Sequence, residues 1–265
     1  MREVGLASPK EGDIVPPIVV SCIIFTCVFA GTLAGMSLRA ALPDHHLTTD
    51  SRDVMKLGMG LIATMSALVL SLLVASAKGS YDTQRNELTQ MSANVILLDR
   101  ALAHYGPEAK DAREQLRLVF EGMRDRVWPE DSPHAPKMGS VIAGGEGLYD
   151  AVQGLSPQSD VQRSLQAEAV KGLVDLAQTR WLLFEQSGSS IPIPFLIVLV
   201  FWLTILFGSF GLLAPRNMTV IGILFFSALS VSGALFLILE LDQPFQGLIQ
   251  IPSTPVRNAL AQLGR

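Results

Sequence analysis

LGMGLIATMSALVLSLLVASAKGSYDTQRNEL, residues 57–88, is the stretch on which the fold turns. Its first 21 residues, Leu57 to Ala77, carry no charge. At about 1.5 Å of rise per residue, a helix of that length crosses a hydrocarbon core of about 30 Å. No proline stops the helix at the membrane surface, so it is predicted to run on through Lys78, Asp82, Arg85 and Glu87 into water. One face of the membrane part is small or weakly polar at helical spacing: Gly60, Thr64, Ala67, Ser71 and Ala75. The other faces are Leu, Val, Ile and Met. Such a stripe packs closely on a neighbouring helix or faces a water-filled path, and no lipid-facing surface requires it.

Composition agrees with a membrane chain. Of 265 residues, 49% are hydrophobic and 17% charged, and mean hydropathy is +0.38. A net charge of −4 argues against nucleic acid as a partner. The two cysteines, Cys22 and Cys27, are five apart inside the first apolar run, so on a helix they point to different faces. They offer neither a disulfide framework nor metal-ligand spacing. The uncharged run from Ile14 to Leu38 is too long for a signal-peptide core and no A-x-A-like site follows it, so it reads as a retained membrane helix.

In chain order, a polar tail, Met1 to Asp13, precedes a first spanning helix opened by Pro16-Pro17 and running to about Met36. Its Gly31-Thr-Leu-Ala-Gly35 pair suits either a dimerisation face or close packing within one subunit. Leu38 to Lys56 reads as a polar connection. His45 and His46 sit there beside carboxylates, but adjacent histidines point apart and a solvated loop is the better reading than a metal site. After the second span, a polar insertion runs from Lys78 to Ser190. Leu88, Met91, Val95, Leu98 and Leu102 recur at threes and fours, an amphipathic helix ended at His104-Tyr105-Gly106-Pro107. A second helix follows to Val127, with Leu116, Val119, Phe120 and Met123 on one face. Glu130 to Gly147 is rich in Pro and Gly and reads as a loop. Its Gly144-Gly145-x-Gly147 lacks the strand before and the Lys-Ser/Thr after that a phosphate loop needs. Ser156-Pro157 is the expected start of a helix to about Gln186, with Val161, Leu165, Ala169, Leu173, Leu176, Arg180 and Leu183 in line. Phe195–Leu213 and Met218 to about Leu239 read as the third and fourth spans. Gly222, Ser227, Ser230, Ser232 and Gly233 offer close-packing surfaces on the fourth. A last short helix, Val256 to Leu263, is expected behind Thr254-Pro255.

The fold class is therefore all-α: an integral membrane protein with four transmembrane helices and a cytosolic helical insertion between helices 2 and 3. The corresponding division is 1–77, 78–190, 191–241 and 242–265. Both termini and the insertion share one side. Counting only the Lys and Arg that flank the spans, about six fall on that side against four on the other (Arg39, Arg52, Lys56 and Arg216), a small bias whose direction puts the termini and insertion in the cytoplasm.

Three segments carry a family resemblance: SALVLSLLVASAKGSYDTQRNEL (66–88), LLDRALAHYGPEA (97–109) and ELDQPFQGLIQIPSTPVRNAL (240–260). Together they resemble the bacterial domain of unknown function 4239, a bestrophin-like family, over roughly Gly60 to Leu260. The resemblance implies a multi-pass subunit of the bacterial inner membrane. Through the more distant link to bestrophins, it implies a homopentameric anion channel with the second helix lining the pore. Bestrophins place bulky, often aromatic, side chains in that helix. Here Leu57 to Ala77 has no aromatic, so a constriction would come from Met65, Leu68 or Leu72.

On this reading Thr64, Ala67, Leu68, Ser71, Leu72 and Ala75 line the pore, and Leu68 or Leu72 forms a ring that gates by dewetting. The boundary charges are Lys78 and Arg85 at the exit of the second helix and Glu240 and Asp242 at the exit of the fourth. They form either a paired interfacial belt or a vestibule that concentrates inorganic anions. No nucleophile with a base, paired carboxylates or metal cluster stands out, so no enzyme, metal or cofactor is expected. A transporter would show broken helices or midplane charge, and neither is visible. The competing function is a membrane-anchored scaffold or sensor, to which the large helical insertion is suited.

Overall fold

A computed structural model describes residues 16–43, 48–129, 141–185, 191–245 and 247–264. Eight α-helices, and no strand, occur among these residues: α1 (Pro17–Ala41), α2 (Thr49–Tyr105), α3 (Lys110–Val127), α4 (Val141–Gln153), α5 (Asp160–Glu185), α6 (Ile193–Leu213), α7 (Met218–Leu241) and α8 (Thr254–Gln262). Four of them, α1, α2, α6 and α7, are long and apolar enough to cross a membrane.

The 57 residues of α2 amount to about 85 Å of unbroken helix. It starts well before Leu57. Thr48 caps it, its Oγ1 accepting from the Ser51 amide at 3.4 Å. The connection expected over Leu38 to Lys56 is thus much shorter, because Arg39 belongs to α1 while Arg52 and Lys56 belong to the charged first turns of α2. Lys56 pairs there with Asp53 at 2.8 Å. The helix ends at Gly106, whose φ of 131° only glycine adopts freely. A 3-10 turn, Pro107–Ala109, then leads into α3.

Two further expectations change. Residues 141–147, read as loop, are the first half of α4. Leu148 and Val152, one turn apart, are buried and anchor it. That packing outweighs the roughly 1 kcal/mol that each helical glycine costs. The helix expected from Ser156 begins instead at Asp160. Ser159 is its cap: its Oγ accepts from the Gln162 amide at 3.2 Å, while Gln162 Oε1 accepts from the Gln158 amide at 2.7 Å. Of the expected α5 line, Ala169 and Leu173 are buried and Leu165, Leu176 and Leu183 pack beside them. Val161 is exposed. The segments 1–15, 44–47, 130–140 and 186–190, which hold the polar tail and His45-His46, lie outside the described residues.

The chain divides into two compact units. The first is Met1–Lys78 with Ile191–Asp242. In it α1 lies so close to α6 that backbones touch. A Cβ on Gly31 would stand 2.8 Å from the Thr204 carbonyl oxygen; one on Gly35 would overlap the Gly208 carbonyl, and one on Gly211 the Thr32 carbonyl. The Gly31/Gly35 pair therefore packs within the subunit. Phe25 and Phe29 of α1 meet Phe225 of α7 edge to face at 5.3 and 5.4 Å. Ser232 Oγ of α7 donates to the Ser21 carbonyl of α1 at 2.6 Å. Gly222 and Gly233, by contrast, face open space. Two arginines reach backbone carbonyls across α1 and the end of α6 in opposite directions. Arg39 donates to the Leu213 and Ala214 carbonyls at the end of α6. Arg216 donates through Nε and Nη2 to the Met36 carbonyl near the end of α1, at 3.2 and 2.6 Å. Asn217 caps α7, its Oδ1 accepting from the Val220 amide at 2.8 Å.

The second unit is Gly79–Ser190 with Gln243–Arg265, so the segment after α7 packs with the insertion. Its core gathers Leu88, Met91, Val95, Leu98 and Leu102 of α2, Leu116 and Phe120 of α3, Leu148 and Val152 of α4, Ala169 and Leu173 of α5, and Ile251, Val256 and Ala259.

Candidate functional site

The stretch of α2 from Leu57 to Ala77 has two faces. Ser66, Leu73 and Ala77 are buried in the first unit, with Val69 and Leu70 partly so. These positions recur at threes and fours and define one line on the helix. Half a turn away, Thr64, Ala67, Leu68, Ser71, Leu72 and Ala75 are all exposed, Leu68 by 67% and Leu72 by 60%. All six residues expected to line a path thus share the side of the helix turned away from its own subunit. Only 11% of the most apolar stretch of α2 is buried, against 22–28% in α1, α6 and α7. Far more of this helix is left for something outside the chain to cover.

Local chemistry on the exposed line is simple. Thr64 Oγ1 donates to the Gly60 carbonyl at 2.9 Å and Ser71 Oγ to the Ala67 carbonyl at 2.8 Å. Both hydroxyl protons are committed to the helix backbone, which leaves oxygen lone pairs on the surface. Between them Leu68, with Leu61 and Met65 above and Leu72 below, forms an apolar band.

The four boundary charges do not sit alike. Lys78, at the end of the first unit's part of α2, and Arg85, in the second unit, are both exposed. Glu240 and Asp242, at the end of α7, are buried, and neither lacks a partner. Within the first unit, Lys78 is exposed like the stripe and the two carboxylates are buried. The exposed surfaces of α1 around Cys22 and Cys27 and of α7 around Gly222 and Ser230 are shallow apolar grooves, each lined by a single helix. Among the described residues no cluster of His, Cys, Asp and Glu could hold a metal.

One polar cluster escaped the sequence reading. Asp99, 96% buried in its side chain, accepts a bidentate pair from Arg113 Nε and Nη2 at 2.8 and 2.9 Å. It also accepts from the Gly264 amide at 3.2 Å. The hydrogen bonds to Asp99 hold the Arg113 guanidinium above its usual pKa, against an opposing effect of partial burial. Nearby, Trp128 Nε1 donates to the Ile251 carbonyl at 2.9 Å and Tyr81 Oη to the Gln250 carbonyl at 3.4 Å. Tyr105 is buried with its hydroxyl unpartnered among the described residues. Burial first, and the neighbouring Glu108 charge second, push its phenol above the ordinary value. The signal in the sequence was Asp99 itself, a carboxylate inside the apolar line Val95-Leu98-Leu102. The Tyr81 bond joins the first and third of the sequence segments quoted above, while Asp99, in the second, binds Arg113 and Gly264 outside them.

Comparison with known proteins agrees with this architecture. Two crystal structures of single-substitution variants of a bacterial bestrophin homologue from Klebsiella pneumoniae are similar to the chain. Their TM-scores are 0.63 and 0.61 at 14% identity, covering 92% and 90% of this chain and 99% of each of theirs. At that identity the likeness is one of fold. No curated protein matches the sequence. The model of the Bestrophin-like domain matches residues 26–256, the greater part of the sequence. The chain belongs to the Bestrophin-like domain family.

Proposed function

We propose that this protein is the subunit of an oligomeric ion channel, five copies in a ring by the bestrophin likeness, with α2 lining the central pore. The carrying observation is the exposed line Thr64, Ala67, Leu68, Ser71, Leu72 and Ala75 on the least covered of four spanning-length helices. Small and hydroxyl-bearing residues tolerate water without stranding a charge in lipid. Leu68 and Leu72 form the narrow apolar ring that gates by dewetting. Both termini and the Gly79–Ser190 unit lie in the cytoplasm of a bacterium, and α1, α2, α6 and α7 span its inner membrane.

Lys78 and Arg85, both exposed residues of α2, raise the local concentration of inorganic anions and favour anion conduction. One observation favours a second reading, cation conduction. The Thr64 and Ser71 hydroxyls donate to their own helix, so the pathway is offered acceptor oxygens. Bilayer recordings under a salt gradient separate the two by the sign of the reversal potential. For an anion channel, Lys78→Glu moves the reversal potential away from the anion. The shift is larger at 0.01 M salt, where the screening length is about 30 Å, than at 0.1 M, where it is about 10 Å. Leu68→Ser and Leu72→Ser raise conductance. Purified protein that carries no current in several lipid mixtures would replace the channel with a membrane-anchored scaffold or sensor. Currents unchanged by all three substitutions would move the pore to another helix.

A further inference from the structure

Within the first unit, α1 and α6 finish at the same end, where Arg39 and Arg216 cross between them. The 21 residues of α6 rise about 31 Å, against about 30 Å of hydrocarbon core, so its last carbonyls stand at the level of lipid headgroups. Two guanidiniums are held at that level. Arg39 is half-buried and donates through Nη1 to the Leu213 and Ala214 carbonyls. Arg216 is exposed and donates through Nε and Nη2 to the Met36 carbonyl.

These bonds use only part of each side chain. A guanidinium carries N–H donors on all three nitrogens. Nε and Nη2 of Arg39, and Nη1 of Arg216, have no acceptor among the described residues. Neither arginine pairs with a carboxylate among those residues, and Asp53, near the start of α2, is taken by Lys56 at 2.8 Å. The charge is not used up by the helix ends either. Each helix C-terminus carries about −0.5 of an elementary charge and each guanidinium a full positive one, so the two pairs leave about one positive charge. Exposed apolar side chains stand next to the arginines in the chain, Leu38 before Arg39 and Met218 after Arg216.

We propose that Arg39 and Arg216 together bind one phosphodiester monoanion, the headgroup phosphate of an anionic membrane lipid. The planar guanidinium fork matches phosphate oxygens, and a monoanion matches the charge left over. The carbonyl bonds already hold both side chains in place, so little further ordering is lost when the phosphate arrives. A lipid suits the site better than free phosphate, because α1 and α6 are of spanning length and their exposed apolar neighbours receive acyl chains. Both arginines belong to one subunit and neither lies on α2, so the site stands apart from the pore reading.

Native mass spectrometry of the full chain, released from mild detergent with added lipid, tests the site without any current. The probes are phosphatidylglycerol, which is monoanionic, phosphatidylcholine, which is zwitterionic, and inorganic phosphate. The parent should retain one phosphatidylglycerol per subunit in preference to phosphatidylcholine. Arg216→Gln should weaken that retention about tenfold, as the loss of a charge-assisted hydrogen bond predicts. Arg52→Gln, which removes an exposed arginine in the first turn of α2, should change it by less than about twofold. If Arg216→Gln does not fold, Arg216→Lys decides. It keeps the charge but loses the fork, and should still weaken binding by about threefold or more. Equal retention of the two lipids overturns the inference, as does a preference that Arg52→Gln removes as fully as the Arg216 variants do. So does inorganic phosphate that binds and displaces the lipid, since the site then takes the free anion.

Discussion

Gly35→Ala adds one methyl group where two helix backbones meet, and its cost follows from that geometry. The new Cβ overlaps the Gly208 carbonyl oxygen. It also stands 2.8 Å from the Gly208 carbonyl carbon and 3.0 Å from the Leu212 nitrogen. Ordinary non-bonded contacts between carbon atoms are about 3.5–4.0 Å, so α6 must withdraw by roughly 1 Å. The obstacle is backbone, and it cannot turn aside as a side chain would. Overpacking of a core costs about 1–3 kcal/mol. Here the withdrawal also loosens the neighbouring contacts at Gly31 and Gly211. Alanine returns about 1 kcal/mol through helix propensity, and with the cost at the upper end of that range, as a clash with backbone requires, the net loss is about 2 kcal/mol. At about 2–4 °C per kcal/mol, the apparent Tm in detergent falls by roughly 4–8 °C at a fixed scan rate. Gly233→Ala is the control. Nothing lies within 4 Å of its added Cβ, so propensity alone acts and the Tm rises by roughly 1–4 °C. Opposite signs for the same chemical change are the expected result. A Gly35→Ala Tm at or above that of the parent, or equal to that of Gly233→Ala, would refute the intramolecular packing.

Other substitutions read other parts of the molecule. Asp99→Ala leaves the Arg113 guanidinium, 22% exposed, and the Gly264 amide without their acceptor. It should cost about 3 kcal/mol, and Asp99→Ala combined with Arg113→Met should recover part of the lost Tm. Tyr105 is neutral in both folded and unfolded chains below pH 10.0. Above that value the unfolded chain gives up the proton first, because the folded phenol is raised, so stability falls as pH climbs toward the folded pKa. Tyr105→Phe should match or exceed the parent at pH 8, by about 1 kcal/mol at most. Its advantage should widen above pH 10, and a gap that does not change with pH would contradict this account. Cysteines introduced at Ser51 and Ser132, in a chain without Cys22 and Cys27, should label from opposite faces of intact cells. Labelling of both from outside would invert the proposed topology.

Where sequence and structure part, the cause is tertiary packing or a cap. The four long apolar helices were legible because length and lack of charge are local properties, and the continuity of α2 because no proline interrupts Leu57 to Tyr105. The start of α5 was legible in principle, since Ser159-x-x-Gln162 is a capping signature, but Ser156-Pro157 resembled one too. The glycines of α4 read as a breaker. The partners that override them, around Leu148 and Val152, lie elsewhere in the chain. Spacing put Thr64 to Ala75 on one face; that this face turns from the subunit, and that Ser66 turns inward, took three dimensions. Asp99 pairs with Arg113 across a turn whose geometry depends on the positive φ of Gly106.

The two crossing arginine bonds also order the biogenesis of the protein in time. Arg39 reaches carbonyls 174 and 175 residues further on, and Arg216 reaches back 180 residues to Met36. A ribosome adds about 5–20 residues per second. The end of α1 therefore leaves the ribosome roughly 10–35 s before either arginine can meet its acceptor. Throughout that interval Arg39 and the Met36 carbonyl wait without these partners, and α2 must already have been threaded. Both ties wait for the end of α6 and the turn after it, so a nascent chain truncated before Leu213 has neither.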